Sequence, residues 1–439
     1  MSISRGSRRF TECRRGWADM SVLILHRNPL EPFPYRAWLA DYDGPIVMLA
    51  ARDKIESFGE QVPDDAAGLS HLGVLDHYDR DVAARATELA EQYHPRHVVA
   101  LHEADLELAA DLRERWRLPG PRAADIRPFR DKLLMKERAQ AAGIEVAPHS
   151  LATTAQQVEA FAAEHGYPVV LKQRAGYNSI GLRISRSSEA LRAHVDALFA
   201  GGARDDIIVE QFVAGRMCHV DGFVRGGRTV LAWPSQYQYD LASFGSDPGP
   251  RIDLTLDPHD PLTTRLLDLV DEVLAAVTRR PGHLTDHAFH AEVFHTPDDR
   301  LVLCEIACRS GGAKIREVFE VMFGVNLAEL EIRTQLGLPV PALDHLPAGV
   351  RPQPGSMSGQ MLMMKRPGLV RAVPARPTEP WVRRFWCWAR PGQVIPPAAG
   401  SADFLTAAIA AAPTRAECEA RLRSLGARIA DQFHIAEAS

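Results

Sequence analysis

Two glutamates pose the chemical question. HAEVF at 290–294 and LVLCEIA at 301–307 read as strands joined by HTPDDR, whose Pro followed by Asp-Asp suits a turn. A hairpin centred between Pro297 and Arg300 sets Glu292 opposite Glu305. Like charges facing each other across a hairpin destabilise it by about 0.2–1 kcal/mol, so a cation should lie between them. Mg2+ suits the place, because it takes one or two carboxylates and completes its octahedron with water and phosphate oxygens. Two glutamates on a solvated sheet face would give the same pattern, and a register slip of one residue would part them.

A second group of residues suits phosphate. In QRAGYNSIGL (173–182), Gly176, Ser179 and Gly181 let backbone N–H groups approach a polyphosphate, and Lys172 supplies a point charge from the preceding strand. The stretch is not a Walker A sequence, and an ordinary glycine hairpin with a surface lysine also fits. Taken alone, Lys132 reads as a helix-surface charge. Directly after the Glu305 strand, ACRSGG (307–312) should project Arg309 close to both carboxylates, to bind phosphate or to form a structural ion pair with Glu292 or Glu305. His283, His287, His290 and His295 could be drawn as a zinc site. However, the alternation from Ala288 to Phe294 sends His290 and Glu292 to one face and scatters the others. Cys304 and Cys308 read as core residues flanking Glu305, and Cys418 as part of the last helix.

These groups need elements to hold them. Apolar runs at Val22 to Leu25, Pro45 to Ala50 and His97 to Glu103, with a helix over Asp81 to Tyr93, predict a parallel α/β unit over 20–122. No GxGxxG follows its first strand, which argues against a dinucleotide site. Glu103 lies at the carboxyl edge of the sheet, where ligands of open α/β sheets bind, although a loop charge reads the same way. Over 123–338 the spacing predicts a helix from Lys132 that stops at Gly143, helices at Ala155 to His165 and Ser188 to Phe199, and strands at 168–172, 182–185 and 207–213. A proline-dense linker over 339–358 precedes a segment at 359–439 that is strand-like first and helical from Arg415. Trp233, Tyr237 and Tyr239 could line a pocket or pack in the core, and Asp240 to Gly249 could act as a lid. The Arg-rich residues 1–19 are expected to be a disordered leader, either dispensable before Met20 or a transit-type peptide.

Composition narrows the class. The 439 residues carry 51 Lys plus Arg against 56 Asp plus Glu, a net charge of −5, so no global field gathers nucleic acid or an anionic membrane. No apolar run reaches the roughly 18 residues of a membrane span, and the cytoplasm is the expected location. Six scattered cysteines make neither a disulfide scaffold nor a paired CxxC zinc site.

The order of the motifs says more than any one of them. DK before a helix, GYPVVLK, a glycine loop with SxG, VEQFVxG, HAEVF and CEIACRSGG together resemble the ATP-grasp superfamily of carboxylate ligases, over about Arg130 to Leu336. In tone the match is most similar to the amino-acid ligase branch that includes bacilysin synthetase, with D-alanine:D-alanine ligase and biotin carboxylase more distant. The resemblance implies an α/β (α+β) fold: an N-terminal parallel α/β domain, central subdomains with antiparallel sheets, and a small β-rich C-terminal region. It assigns Lys132 and Lys172 to the ATP phosphates, and Ser179 and Gly181 to a mobile phosphate loop. Glu210, Gln211 and Val213 fall at the adenine hinge, Glu292 and Glu305 at Mg2+ (with Mn2+ able to substitute), and Arg309 at the acyl-phosphate or tetrahedral centre.

Two positions depart from the family pattern. Met217 occupies the usual place of the acidic ribose ligand, leaving His219 or Asp221 for that role or the ribose held in another way, and Ala307 replaces an oxygen ligand of the metal. The implied activity joins a carboxylate, an amino acid or related small acid, to an amine through an acyl-phosphate, releasing ADP and phosphate. A kinase, a carboxylase-like enzyme and an ATP sensor without chemistry are the alternatives. The implied partners are small-molecule carboxylates and amines, with neither nucleic acid nor membrane, and a homodimer is admitted.

Overall fold

The computed structural model describes residues 20–436 except 241, 242, 244–246, 248, 279–281 and 347–349. The leader expected over 1–19, and with it Cys13, lies outside the described residues, as does most of the lid expected between Asp240 and Gly249.

The first apolar runs become β1 (Val22–His26), β2 (Ile46–Ala51), β3 (His71–Leu75) and β4 (His97–Ala100), a parallel sheet in the order β3-β2-β1-β4. Strands covered on both faces must be apolar throughout, and Val22 to Leu25 are buried without a break. Helix Tyr78–Tyr93 covers one face with Val82, Ala86 and Leu89. Sequence pattern missed β3, whose HLGVL is half-buried, and helix Leu106–Trp116, which follows the Glu103 turn.

A second sheet is antiparallel: β5 (His149–Leu151), β6 (Val169–Gln173), β7 (Arg183–Ser185) and β8 (Ile207–Gln211), in the order β5-β8-β6-β7. Helices Ala155–His165 and Ser188–Phe199 pack on it, each started by a side-chain cap from Thr154 or Ser187. The strand expected over 207–213 ends at Gln211, and the next four residues connect to β9 (Arg216–Arg225).

From β9 the chain builds an eight-stranded sheet with β10 (Arg228–Tyr237), β11 (Arg251–Thr255), β12 (His287–His295) and β13 (Leu301–Ala307). The C-terminal segment supplies β14 (Met357–Met364), β15 (Gly368–Ala372), β16 (Val382–Cys387), β17 (Val394–Ile395), β18 (Phe404–Ala412) and β19 (His434–Ala436). Three of these, β14, β18 and β16, continue the large sheet beyond β11, and the other three form a small sheet beside it. Helix Pro261–Val277 buries eight side chains against this sheet's first half, and helix Arg415–Gln432 seals the half built by β11, β14 and β18. Among the described residues no helix is long and apolar enough to cross a membrane.

Glu292 does lie opposite Glu305, by a route the sequence does not reveal. Near the turn the pairing runs His295 to Leu301, Phe294 to Val302 and Val293 to Leu303, one residue out of step with the expected hairpin. Cys304 is the extra residue of a bulge that restores the step. The turn closes through Thr296 N–H to the Arg300 carbonyl (3.0 Å), with Asp299 at φ +62.

Candidate active site

Asp131 starts the site. Its carboxylate accepts the N–H groups of Leu133 and Leu134 (3.2 and 3.4 Å), capping helix Lys132–Ala141, and pairs with Arg174 at 2.5 Å. That pair ties the loop after β6 to the helix start, and two more bonds follow: Arg130 Nη2 to the Ala175 carbonyl (2.5 Å) and Lys132 Nζ to the Gly176 carbonyl (2.6 Å). The loop then curls through left-handed residues at Asn178, Ser179 and Gly181.

A cavity of about 550 Å³ opens between the second sheet and the large sheet, and Lys132, Lys136, Lys172, Glu210, Glu292 and Glu305 all reach it. Gln211, Val213 and Ser179 also line it, whereas Gly181 does not. Glu210 sits between two ammonium groups, Lys172 at 3.0 Å and Lys136 at 3.4 Å. Burial opposes every charge here. The lysines nevertheless hold the Glu210 carboxyl below its ordinary range, and Glu210 holds Lys172 above its own. For Lys136 burial prevails, and its pKa falls. Lys136 was not singled out from sequence. Its spacing of four from Lys132, which puts both on one helix face, was the available signal.

The two carboxylates face the same cavity. Glu305 lies 3.2 Å from Lys132 Nζ, and Glu292 lies 3.6 Å from His290 Nε2. Burial pushes the Glu292 carboxyl up, but the His290 bond and charge outweigh it. Two opposed oxygen donors beside three lysines fit Mg2+ bridged to a polyphosphate, a hard cation with carboxylate and phosphate ligands. Ala307, where the family pattern has an oxygen ligand, offers no side-chain oxygen.

His219 and Asp221, expected at the ribose, do not line the cavity; Met217 and Arg216 do. The Tyr237 ring covers His219 at 4.6 Å, leaving it 1 % exposed. Both residues belong instead to a buried chain behind Glu292. Asp253 meets His219 Nε2 at 3.0 Å, His219 Nδ1 meets Asp221 at 2.6 Å, and Asp221 meets His290 Nδ1 at 3.0 Å. Burial disfavours charge on these histidines, yet the aspartates win, raising His219 to about 10 and His290 to about 9. His219, Asp221 and His290 bring a nitrogen or oxygen atom each within 4.8 Å of one another. Of the four histidines weighed for zinc, His287 bonds the Ala288 carbonyl, His295 bonds Asp299 and His283 sits by Asp125, so no such cluster forms. Gly311 passes so close that a Cβ there would stand 2.5 Å from Asp221 Oδ1.

Arg309 meets neither Glu292 nor Glu305. Its partner is Glu103, at 2.5 Å from Nη2 and 3.1 Å from Nε, and the other Glu103 oxygen takes Arg130. Glu103 is therefore no loop charge. It is 6 % exposed, and although burial alone would raise its pKa, Arg309 and Arg130 bring it down to about 2. Glu103 and Arg309 line a second cavity of about 380 Å³, and Tyr177, Asn178 and Ile180 of the loop after β6 line both cavities. The loop thus stands at their junction, where Ser401 N–H reaches the Asn178 carbonyl (3.4 Å). Tyr237 and Tyr239 line the first cavity, while Trp233 is core and donates to the Leu256 carbonyl (2.9 Å). Cys304, expected in the core, lines the first cavity because the bulge turns it; Cys308 and Cys418 are buried.

The fold is the ATP-grasp fold. Residues 131–221 match the ATP-binding domain of the carbamoyl-phosphate synthase L chain. The L-arginine-specific L-amino acid ligase of Bacillus subtilis is 25% identical over 244 residues, 53% of this chain and 56% of that protein. The chain spans about half the length of the first curated relatives it matches. The solved L-amino acid ligase of Bacillus licheniformis superposes with a TM-score of 0.71 at 16% identity, covering 96% of this chain and 99% of its own. The biotin carboxylase domain of the Hydrogenobacter thermophilus 2-oxoglutarate carboxylase, a dimer in complex with MgADP and bicarbonate, gives 0.67 at 18% identity, covering 95% and 90%.

Proposed function

We propose that the protein is an ATP-dependent carboxylate-amine ligase whose acid is an amino acid or a related small acid. One observation carries this reading: the phosphate loop stands between a cavity holding three lysines and two opposed glutamates and a cavity holding Arg309. Nucleotide binding alone has no use for the second cavity. The named activity of the Bacillus subtilis relative supports the choice of an amino acid.

Lys132 and Lys172 hold the β- and γ-phosphates, and Glu292 and Glu305 would hold Mg2+, which supplies charge neutralisation at those oxygens. Glu103 fixes Arg309, whose guanidinium orients the substrate carboxylate toward the γ-phosphorus. A carboxylate oxygen attacks that phosphorus, the bond to the β-bridging oxygen breaks, and ADP leaves. The amine nitrogen then attacks the acyl carbon, the C–O bond to phosphate breaks, and the nitrogen loses a proton as the amide forms. Placed charge supplies most of the catalysis, because phosphoryl transfer asks little covalent chemistry of a protein. Closure of the loop over the junction keeps water from the acyl-phosphate.

Pairwise mixtures of amino acids and other small carboxylates with amines, read by phosphate release, test the proposal. Phosphate should appear only when both co-substrates are present, and Glu305→Gln should lower the rate by at least about 100-fold. ATP turnover that needs no carboxylate would refute the ligase reading, and full activity in Glu305→Gln would refute the metal assignment.

A further inference from the structure

The second cavity contains a cation that nothing in the wall neutralises. Arg309 is paired with Glu103, Arg27 with Asp105 and Asp79, Lys54 with Asp53, and Lys314 with Glu317. Arg316, in helix Ile315–Phe323, has no ion pair or hydrogen bond among the described residues; its guanidinium lies over the Phe33 ring at 4.6 Å. The acids of the wall are engaged elsewhere. Glu60 accepts the N–H groups of Leu30 and Glu31 (2.7 and 3.2 Å), Asp403 accepts that of Ala399 (2.7 Å), and Glu31 is exposed at the rim. A groove that shares Phe58, Trp386 and Trp388 with this cavity adds Arg376, Arg383 and Arg390, none with an acid partner among the described residues. Glu31 and Glu60 also line that groove, but its arginines outnumber them, and Phe33, Phe58, Trp386 and Trp388 form the apolar part of the cavity wall, which favours entry of an anion and its pairing out of bulk water.

A guanidinium stacked on an aromatic ring and open to a cavity presents its donor fork to a planar oxyanion, and a carboxylate matches that fork. Resting on the ligase reading above, we propose that the second cavity binds, through Arg316, a carboxylate that takes no part in the reaction. One substrate is then anionic at a group other than the one that reacts. Two sources share this chemistry: a second carboxylate on the activated acid, and the carboxylate that an amino acid keeps when it serves as the amine.

Calorimetric titration of the full chain with ADP and Mg2+ present separates the sources by matched probes. L-Glutamate against L-glutamine reads a second carboxylate, and L-alanine against L-alaninamide reads the retained one. A bond from a charged carboxylate contributes about 1.5–3 kcal/mol, so the anionic member of at least one pair should bind at least about tenfold tighter. Arg316→Gln should bring that ratio to about twofold or less with ADP affinity unchanged, and Arg316→Lys should restore part of it. Equal binding within both pairs, no binding by any probe, or a preference that survives Arg316→Gln would overturn the proposal. If Arg316→Gln loses ADP binding, the wild-type ratio and Arg316→Lys decide: an unaltered ratio in Arg316→Lys overturns the fork. With ATP in place of ADP, probes that bind through Arg316 yet release no phosphate in any mixture with an amine would leave this site standing and count against the ligase reading.

Discussion

Replacing Glu103 by Gln keeps the shape of the side chain and removes one negative charge from between two guanidinium groups. The wild-type carboxyl titrates at about 2 against a reference of 4.5, so the charged form is favoured in the folded protein by about 3 kcal/mol, at 1.36 kcal/mol per pKa unit. Arg130 is 4 % exposed and would lose its acid partner, a change of the kind that costs about 3–5 kcal/mol. The variant should therefore be less stable by about 3 kcal/mol at pH 7. The sign with pH follows from a depressed folded pKa: the wild-type contribution is complete above about 4.5 and lost as pH falls through about 2. Wild type and variant should then converge in acid. Urea titrations at pH 7, 5 and 3, followed by tryptophan fluorescence, measure both quantities. A variant within about 0.5 kcal/mol of wild type at pH 7, or a constant gap across the pH range, would refute the reasoning.

Gly311→Ala drives a Cβ to 2.5 Å from Asp221 Oδ1 and 2.8 Å from Ile315 Cγ2, and should cost about 1–3 kcal/mol, read as a lower melting temperature. Lys136→Met leaves Glu210 to Lys172 alone and draws that lysine away from the nucleotide, so the ATP dissociation constant should rise roughly tenfold by calorimetry. His219 titrates at about 10 because Asp253 and Asp221 outweigh its burial. With a raised folded pKa its contribution is complete below about 6.5 and lost as pH rises toward 10, so the urea midpoint should fall over that range, and fall less in His219→Gln.

What could be read in advance depended on how far apart the cooperating residues lie in the chain. The carboxylate pair was legible because one turn joins its strands, although the Cys304 bulge was not, since nothing in LVLCEIA distinguishes a bulged strand from a regular one. The tethering of the loop after β6 had no local signal, since Arg174 reaches Asp131 and Lys132 reaches the Gly176 carbonyl across 43 and 44 residues. Glu103 had no such signal: its partners are 27 and 206 residues away, and only tertiary packing makes a strand-end glutamate a buried anchor. The same holds for His219, whose contact with Asp253 crosses from β9 to β11, and for β14, whose pairing with β11 makes the C-terminal segment part of the large sheet. Met217 was recognised as a departure, but alternation along β9 could not say that Tyr237 would close over the next residue on the same face.

Transfer of oxygen from acid to phosphate tests the central claim most directly. An amino-acid mixture labelled with oxygen-18 in its carboxyl groups, incubated with the protein, ATP and Mg2+, should give inorganic phosphate carrying a single labelled oxygen, because the attacking carboxylate oxygen leaves with the phosphoryl group. Phosphate free of label, or label found in AMP instead, would contradict an acyl-phosphate formed between the lysine-lined cavity and Arg309.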